Sequence, residues 1–254
     1  MSKNKMRLAY DMHLHSCLSP CGDDNMTPAM ICGLAKVAGL DIIALTDHNS
    51  CANCPAFLEA AEHYGIKAIC GMELTTAEEV HVLCYFHSLD LAMRFSDYVH
   101  DHLLPIKNKP SIFGHQYTVD TDDNVLYEEE TLLVSATDIS FDQVSDILED
   151  YGGVMVPAHI NKTSTSVLSN LGLIPEDSKF KCAEIKLTAG AVDSETSSIE
   201  SLASELQEQH PYLKKCRLLI NSDAHTLNDI QEPIHFIEIK DDTTDAILDY
   251  LAGK

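Results

Sequence analysis

Short apolar runs of strand length alternate with helix-length segments along the whole chain, and this alternation limits the fold more than any other feature. The runs are rich in Ile, Leu and Val and mostly apolar on both faces, which is typical of parallel strands covered by helices. Strands are predicted at 8–12, 41–45, 68–71, 80–86, 132–135, 154–157, 183–187, 217–221 and 234–239. Helices are predicted at 28–38, 54–64, 91–103, 141–151, 166–171, 194–209 and 244–251. The order predicts an α/β fold, either a parallel barrel or a doubly wound sheet.

The first predicted helix carries a signal at each of its boundaries. Thr27 precedes Pro28, an N-cap residue followed by proline at the first helical position. Gly39 follows the last helical residue, where glycine commonly ends a helix. The bounds of this helix are therefore predicted from local chemistry alone.

One stretch, residues 107–130, interrupts the alternation. It contains Pro110, Gly114 and a cluster of acidic side chains. The segment is read either as a hairpin or lid over a site, or as a solvated loop. Because neither a repeat nor a linker is visible, residues 1–254 are expected to form a single domain.

Side chains that bind metals recur at the ends of the predicted strands. His13 and His15 end the first strand, and alternate residues of a strand face the same side. Five further strands present such side chains at or near their ends: His48, Glu73, His81, His159, and Asp223 with His225. Taken singly, each is best explained as a surface or core residue. Together they predict one rim that holds cations, because parallel α/β folds gather functional groups at the carboxyl ends of strands.

The donor set indicates which cations such a rim would hold. Imidazoles and carboxylates suit Zn, Mn or Fe, and the sequence does not choose among them. A carboxylate such as Glu73 can bridge two ions. Two or three divalent metal ions are therefore expected, close enough together to hold a hydroxide and a phosphoryl group.

Five short motifs occur in an order that resembles a known family. They are HLHS at 13–16, TDH at 46–48, GMELT at 71–75, AHINK at 158–162 and SDAH at 222–225. These are similar to the successive motifs of the PHP superfamily, the polymerase and histidinol phosphatase domains. The resemblance implies a distorted (β/α)7 barrel of the TIM-barrel type, a centre of two or three metals, and hydrolysis of phosphoesters.

The resemblance also implies a ligand set for each metal. The first metal would be held by His13, His15, Glu73 and Asp223. Glu73 would bridge to a second metal that is also held by His81 and His159. A third would take His48, His225 and a side chain supplied after the first motif.

The last ligand of the third site is where this chain departs from the pattern. Many relatives carry an aspartate where this sequence has Pro20. Asp23 or Asp24 is expected to substitute, with Asp23 preferred. A protein with only two metals also remains open.

Further residues are expected to act on the substrate or on the ligands. The resemblance places Lys162 near the substrate phosphate, with Asn161 as a weaker candidate. Asp11, Asp47 and Ser222 are expected to orient the imidazoles.

The expected reaction is hydrolysis of a small phosphorylated metabolite, a phosphomonoester or a nucleotide, by attack of a metal-bridging hydroxide. Glu73, Lys162 and His225 would be the catalytic residues, and either His225 or His48 would protonate the leaving oxygen. An alternative is an amide or C–N hydrolase of the amidohydrolase type. That group usually bridges its metals with a lysine, so Glu73 favours phosphate chemistry. A non-catalytic metal-binding regulatory protein is a second alternative, which the nearly complete ligand set disfavours.

The net charge limits the partners. With 17 Lys and Arg against 40 Asp and Glu, the formal charge is −23. Such a field repels nucleic-acid backbones and anionic membranes, so we expect a small phosphorylated substrate, no long nucleic acid and no membrane partner. No secretory signal or membrane-length apolar run is visible, which predicts a cytoplasmic protein.

Nine cysteines fit this compartment if they are reduced. Cys51 and Cys54 have CxxC spacing, and Cys17 and Cys21 lie near the same expected rim. A structural zinc held by these four is conceivable. Reduced loop thiols are the favoured interpretation, because a second pair at the usual zinc spacing is missing.

Overall fold

The computed structural model describes residues 5–187, 195–230 and 232–254. Its strands are β1 (Met6–Leu14), β2 (Ile42–Leu45), β3 (Lys67–Thr75), β4 (His81–Phe86), β5 (Tyr117–Val119), β6 (Val125–Glu128), β7 (Gly153–Pro157), β8 (Cys182–Glu184), β9 (Arg217–Leu219) and β10 (Phe236–Ile239). Its α-helices are α1 (Pro28–Ala38), α2 (Cys54–Tyr64), α3 (Leu89–His102), α4 (Pro110–Phe113), α5 (Phe141–Asp150), α6 (Val167–Asn170), α7 (Glu195–Gln209) and α8 (Thr244–Leu251). Ser194, the predicted first residue of α7, lies outside the described residues.

The main sheet has six strands in the order β10-β1-β2-β3-β4-β7. Strands β1, β2 and β3 are mutually parallel, whereas β4 is antiparallel to both of its neighbours. The expectation of a wholly parallel sheet is therefore wrong at β4, and also at the edge strand β10, which pairs antiparallel with β1. Only residues 76–80 connect β3 to β4, and so short a connection forms a hairpin rather than a crossover.

The reversal of β4 decides which of its ends meets the other strands. Thr75 at the end of β3 pairs with His81 at the start of β4. Val82, the next residue, pairs with Pro157 at the end of β7. The amino end of β4 therefore lies at the same rim as the carboxyl ends of β1, β2, β3 and β7.

The sheet curls toward a second, two-stranded parallel sheet of β8 and β9. Beyond the strand ends, the Ile160 N–H donates to Glu184 O (2.8 Å), which connects the segment after β7 to β8. On the other side, the His15 N–H donates to Ala224 O (3.0 Å), which connects the end of β1 to the segment after β9. The architecture is a mixed α/β fold with a curled half-barrel sheet.

Apolar side chains fill the space enclosed by this sheet, directly below the rim. Met12, Ile42, Tyr85 and Val156 are fully buried there. The Tyr85 hydroxyl donates to Met12 O at 2.7 Å, so its polar end is satisfied in the core. Burying each such side chain contributes about 1.5–3 kcal/mol. This packed floor gives the rim residues a rigid base.

Residues 107–130 fold into α4 and an antiparallel hairpin of β5 and β6. The strand predicted at 132–135 is wrong, because this segment is a turn whose Leu133 is buried against Leu18. The Tyr117 N–H donates to Cys17 O at 2.8 Å, so the segment packs on the loop that follows β1. None of the helices within the described ranges has both the length and the apolar character needed to cross a bilayer.

Candidate metal centre

Glu73 lies at the middle of a cluster of imidazoles on the rim. It is near the end of β3, and 1% of its surface is exposed. Its Oε1 lies near the ring nitrogens of His81 (2.9 Å), His159 (3.0 Å) and His13 (3.4 Å). Its Oε2 lies near those of His48 (3.2 Å) and His15 (3.3 Å). The two oxygens of one carboxylate thus face two different sets of imidazoles.

His13 and His15 also face the carboxylate of Asp223. Their Nε2 atoms are 3.2 Å apart, and each lies 3.4 Å from Asp223 Oδ1. Asp223 has a φ of 56° and His159 has a φ of 29°. Non-glycine residues seldom adopt positive φ, and such strain often occurs at functional sites.

Glu184, on β8, holds the other side of the His13 ring. Both of its carboxylate oxygens lie 3.0 Å from His13 Nδ1. It also accepts hydrogen bonds from Asn221 Nδ2 (2.8 Å) and from the backbone N–H of His159 (2.8 Å). Glu184 was not among the predicted site residues, although a charged side chain inside the apolar run 183–187 was the available signal.

A hydroxyl and a carboxylate orient His15. Its Nδ1 lies 3.0 Å from Ser19 Oγ, and that hydroxyl donates to Asp47 Oδ1 at 2.7 Å. Asp47 therefore acts on the ring through Ser19. Asp11 differs from its expected role, because it accepts the backbone N–H groups of His13 (3.4 Å) and Ser222 (3.1 Å) rather than a ring N–H.

Burial and neighbouring charges shift the pKa values of the imidazoles in different directions. Burial alone would lower the pKa of His13, but the carboxylates of Glu184, Glu73 and Asp223 raise it well above its usual range. Burial and repulsion from neighbouring imidazoles hold the pKa of His48 well below its usual range, although Glu73 opposes this. Burial, followed by repulsion from His15, lowers the pKa of His225 to about 4. His48 and His225 are therefore neutral near pH 7 and keep a lone pair for a cation.

Within the described ranges, three groups of residues bring their ligand atoms within 4.8 Å of one another: His13, His15 and Asp223; His48, Glu73 and His81; and His15, Cys21, His48 and His225. Among the described residues, the buried Nδ1 atoms of His48 and His159 have no hydrogen-bond partner. Buried polar atoms are normally satisfied, so such orphans need an explanation. Neutral imidazoles beside buried carboxylates match the donors that divalent cations prefer, and the residues therefore fit a metal centre.

Two ammonium groups stand beside Asp223. Lys162 Nζ lies 3.5 Å and Lys186 Nζ 3.3 Å from Asp223 Oδ2, and Lys186 also donates to Ser222 O at 2.6 Å. Lys186 had not been predicted. The Asn161 amide is bonded to the backbone of Lys186 through both of its ends, at 2.8 Å each. It therefore fixes the segment that carries this lysine.

The loop after β1 places its side chains differently from the expectation. The Asp23 carboxylate is exposed and accepts from Asn25 N (2.9 Å), and Asp23 belongs to none of the three groups. The Cys21 thiol lies there instead. Burial of the sulfur, and to a smaller extent the nearby carboxylates, raises the pKa of that thiol to about 12.

The pair Cys51 and Cys54 does not meet the pair Cys17 and Cys21 at a common point. Cys51 and Cys54 are buried in the apolar core, where both thiols approach Gly71 O (3.3 and 3.8 Å). Cys17 is buried and its thiol donates to Tyr117 O at 3.7 Å. No group of possible ligands in the described part of the chain unites these cysteines with Cys21. All nine cysteines are free thiols.

Comparison with known proteins agrees with this arrangement. The family model of the PHP domain matches residues 11–163 of the chain, a segment that contains the ends of β1, β2, β3 and β7. A search of the curated proteins gave no significant match.

Several solved structures have a similar fold. The lesion-specific endonuclease Q from Pyrococcus furiosus superposes with a TM-score of 0.67 at 20% identity, over 98% of this chain and 56% of that one. The chain thus spans little more than half the length of that enzyme. A putative metal-dependent phosphoesterase from Bifidobacterium adolescentis gives a TM-score of 0.58 at 16% identity, over 94% and 95% of the two chains. An amidohydrolase from Chromobacterium violaceum gives 0.52 at 15% identity, over 90% and 91%. At these identities the likeness concerns the fold.

Proposed function

Because the chain belongs to the PHP domain family, we propose that it is a metal-dependent phosphoesterase that hydrolyses a small phosphorylated metabolite, a phosphomonoester or a nucleotide. The observation that carries the proposal is the position of Glu73. One buried carboxylate with imidazoles close to both of its oxygens is suited to be shared between two cations. Pairs of cations held this closely are typical of enzymes that cleave phosphoesters.

The residues divide into ligand sets around this bridge. His13, His15, Asp223 and Glu73 would hold a first divalent cation, with His13 nearer Oε1 and His15 nearer Oε2 of the shared carboxylate. His81 and His159 would hold a second with Glu73, whose Oε1 lies near both rings. His48, which shares one group of possible ligands with Glu73 and His81, would with His225 contribute to a third. The cations, Zn, Mn or Fe, would supply an activated water nucleophile and neutralise phosphoryl charge.

The chain's own residues position the substrate. Lys162 and Lys186 present two ammonium groups on one side of Asp223, where they would bind phosphoryl oxygens as point charges. Glu184 orients the His13 ring and keeps its Nε2 directed at the centre. The low pKa of His225 favours metal binding over donation of a proton to the leaving oxygen.

The acidity of the whole protein supports a small substrate. The formal charge of −23 repels a polynucleotide, whereas a single phosphate needs only the local positive charge of the two lysines. Endonuclease Q, whose fold is similar, has been solved with a 27-mer duplex that carries an abasic lesion at its active site. A DNA duplex with an abasic lesion should therefore be assayed beside the small substrates, and the two rates compared. Glu73 at the bridging position argues against amide hydrolysis.

We further interpret residues 1–254 as one domain with a distorted (β/α)7 barrel. The seven strands would be β1, β2, β3, β4, β7, β8 and β9. The two sheets would be joined at the rim by the hydrogen bonds from Ile160 N–H to Glu184 O and from His15 N–H to Ala224 O. Residues 107–130 are assigned as an excursion that covers the loop after β1. A cytoplasmic location would keep the nine free thiols reduced.

The test compares substrates on one preparation of the protein. The chain is stripped with a chelator, reloaded with Zn, Mn or Fe(II), and assayed on phosphomonoesters, nucleotides, an abasic duplex oligonucleotide and a lactam. We expect phosphomonoester or nucleotide hydrolysis that chelation abolishes and metal restores. Glu73→Gln should lose about 10³-fold or more of this rate, whereas the exposed Glu176→Gln should not change it. Turnover of the lactam or of abasic DNA alone would contradict the proposal, and so would full activity of Glu73→Gln.

A further inference from the structure

One thiol lies among the imidazoles at the mouth of the metal centre. The ligand atoms of Cys21, His15, His48 and His225 all lie within 4.8 Å of one another. All nine cysteines fall within the described residues, and of these Cys21 alone is exposed. A thiol placed at random on the surface would have no reason to face three imidazoles.

The backbone holds Cys21 in this position. At Gly22 a Cβ would lie 2.5 Å from Ser16 O, so only glycine allows the turn that follows the cysteine. The Asp23 N–H donates to His225 O at 2.9 Å, which ties the turn to the segment after β9. The loop that carries the thiol is therefore fixed to the element that carries one of its imidazole neighbours.

The ring nitrogens around the thiol are available to a cation. His225 donates its Nδ1 proton to Asp223 O (2.8 Å), which leaves the lone pair on Nε2. His48 is 3% exposed, and its Nδ1 has no hydrogen-bond partner although it faces the centre, 3.2 Å from Glu73 Oε2. This buried nitrogen lacks a donor or acceptor partner that a cation between the clustered side chains would supply.

We propose that the Cys21 thiolate, His48 and His225 together would hold a cation. His15 is assigned to the first cation, because its Nε2 faces Glu73 and Asp223 while its Nδ1 contacts Ser19. A thiolate in the set favours Zn or Fe(II) over Mn or Mg, which prefer oxygen donors. The inference rests on the metal centre of the proposed function, but it does not depend on which bond that centre cleaves.

Bound cobalt(II) gives a direct spectroscopic signal for a thiolate ligand. Metal-free protein is titrated with Co²⁺, and bound metal is counted by elemental analysis. We expect three equivalents and a thiolate-to-cobalt charge-transfer band in the near ultraviolet. Cys21→Ser should bind one equivalent fewer and lose the band. Cys21→His should regain the equivalent without the band, and Cys17→Ser should behave like the wild type because Cys17 faces Tyr117 O instead.

Alkylation provides a readout that is independent of colour and of turnover. At alkaline pH, which the raised pKa of the Cys21 thiol requires, iodoacetamide should modify Cys21 in the metal-free protein, and bound Zn²⁺ should slow this reaction at least tenfold. The proposal is overturned if the fully loaded wild type shows no charge-transfer band, if Cys21→Ser keeps the band, or if metal leaves the alkylation rate unchanged. An inactive protein that still shows the band would refute the proposed phosphoesterase and leave the thiolate site standing.

Discussion

Replacing Glu184 by glutamine tests whether a residue outside the ligand sets controls the metal centre. Glu184 Oε1 accepts from His13 and Asn221, and Oε2 accepts from His13 and the backbone N–H of His159. Glutamine keeps one oxygen and puts an NH₂ group where the other acceptor was. The NH₂ group then faces a donor, either Asn221 Nδ2 or the His159 N–H.

Two magnitudes follow from this geometry. One buried donor left unpaired costs about 1–3 kcal/mol of the free energy of unfolding. Without the negative charge at Nδ1, the His13 ring is less basic at Nε2, and its orientation is held less firmly. Losing a partner of this kind typically weakens metal binding or activity by about 10–100-fold, which corresponds to about 1.4–2.8 kcal/mol.

The two effects are separated by two measurements on the same samples. Calorimetric titration of metal-free protein with Zn²⁺ measures the dissociation constant of each site, and chemical unfolding measures the stability without metal. Glu184→Gln should weaken the tightest site by about 10–100-fold, while the exposed Glu176→Gln should leave both quantities unchanged. If Glu184→Gln lowers stability but binds Zn²⁺ with wild-type affinity, Glu184 only supports the fold and the reasoning fails.

Three further predictions concern charge, substrate binding and packing. Burial raises the pKa of Asp11 to about 6, so its ionised form opposes folding at neutral pH and this cost fades as the pH falls toward the unfolded value of 3.8. Asp11→Asn should therefore raise the free energy of unfolding of the metal-free protein by up to about 3 kcal/mol at pH 7.5 and about half as much at pH 5. Chemical unfolding measures both values, and an equal increase at the two pH values would refute this prediction. Lys186→Met should raise KM for a phosphomonoester by about tenfold or more with a smaller effect on kcat, because a charged hydrogen bond contributes about 1.5–3 kcal/mol, whereas the exposed Lys214→Met should change neither kinetic constant. Gly114 has a φ of +101° and a Cβ there would lie 2.1 Å from a loop carbonyl, whereas Gly172 has a φ of +74° in open space. Gly114→Ala should therefore lower the melting temperature more than Gly172→Ala, which costs about 1 kcal/mol, and similar losses would show that the excursion does not pack on the loop after β1.

Local chemistry made some elements predictable from the sequence. The bounds of α1 match the prediction because Thr27 accepts from Met30 N and Gly39 adopts a φ of 88°. Apolar runs located β1, β2, β3 and β7 to within a few residues. The polar residues that follow these runs lie at one rim, since the runs are parallel and their carboxyl ends coincide.

Long-range geometry accounts for what the sequence did not predict. An apolar run has no direction, so nothing in residues 80–86 indicated that β4 runs antiparallel to β3. Glu184 and Lys186 are brought to the centre only when β8 docks beside β7. Cys21, and not Asp23, lies in the group with His48 and His225, and the spacing of the loop residues alone does not reveal the turn at Gly22.

The hairpin of β3 and β4 has a consequence for the order in which the centre assembles. Glu73 and His81 meet across a connection of a few residues, so their contact closes a short loop and forms at little entropic cost. His13 and Asp223 are far apart in the sequence and meet only when β1 and the segment after β9 come together. Because local contacts precede distant ones during folding, a chain emerging from the ribosome would hold half of a binding site long before the other half exists.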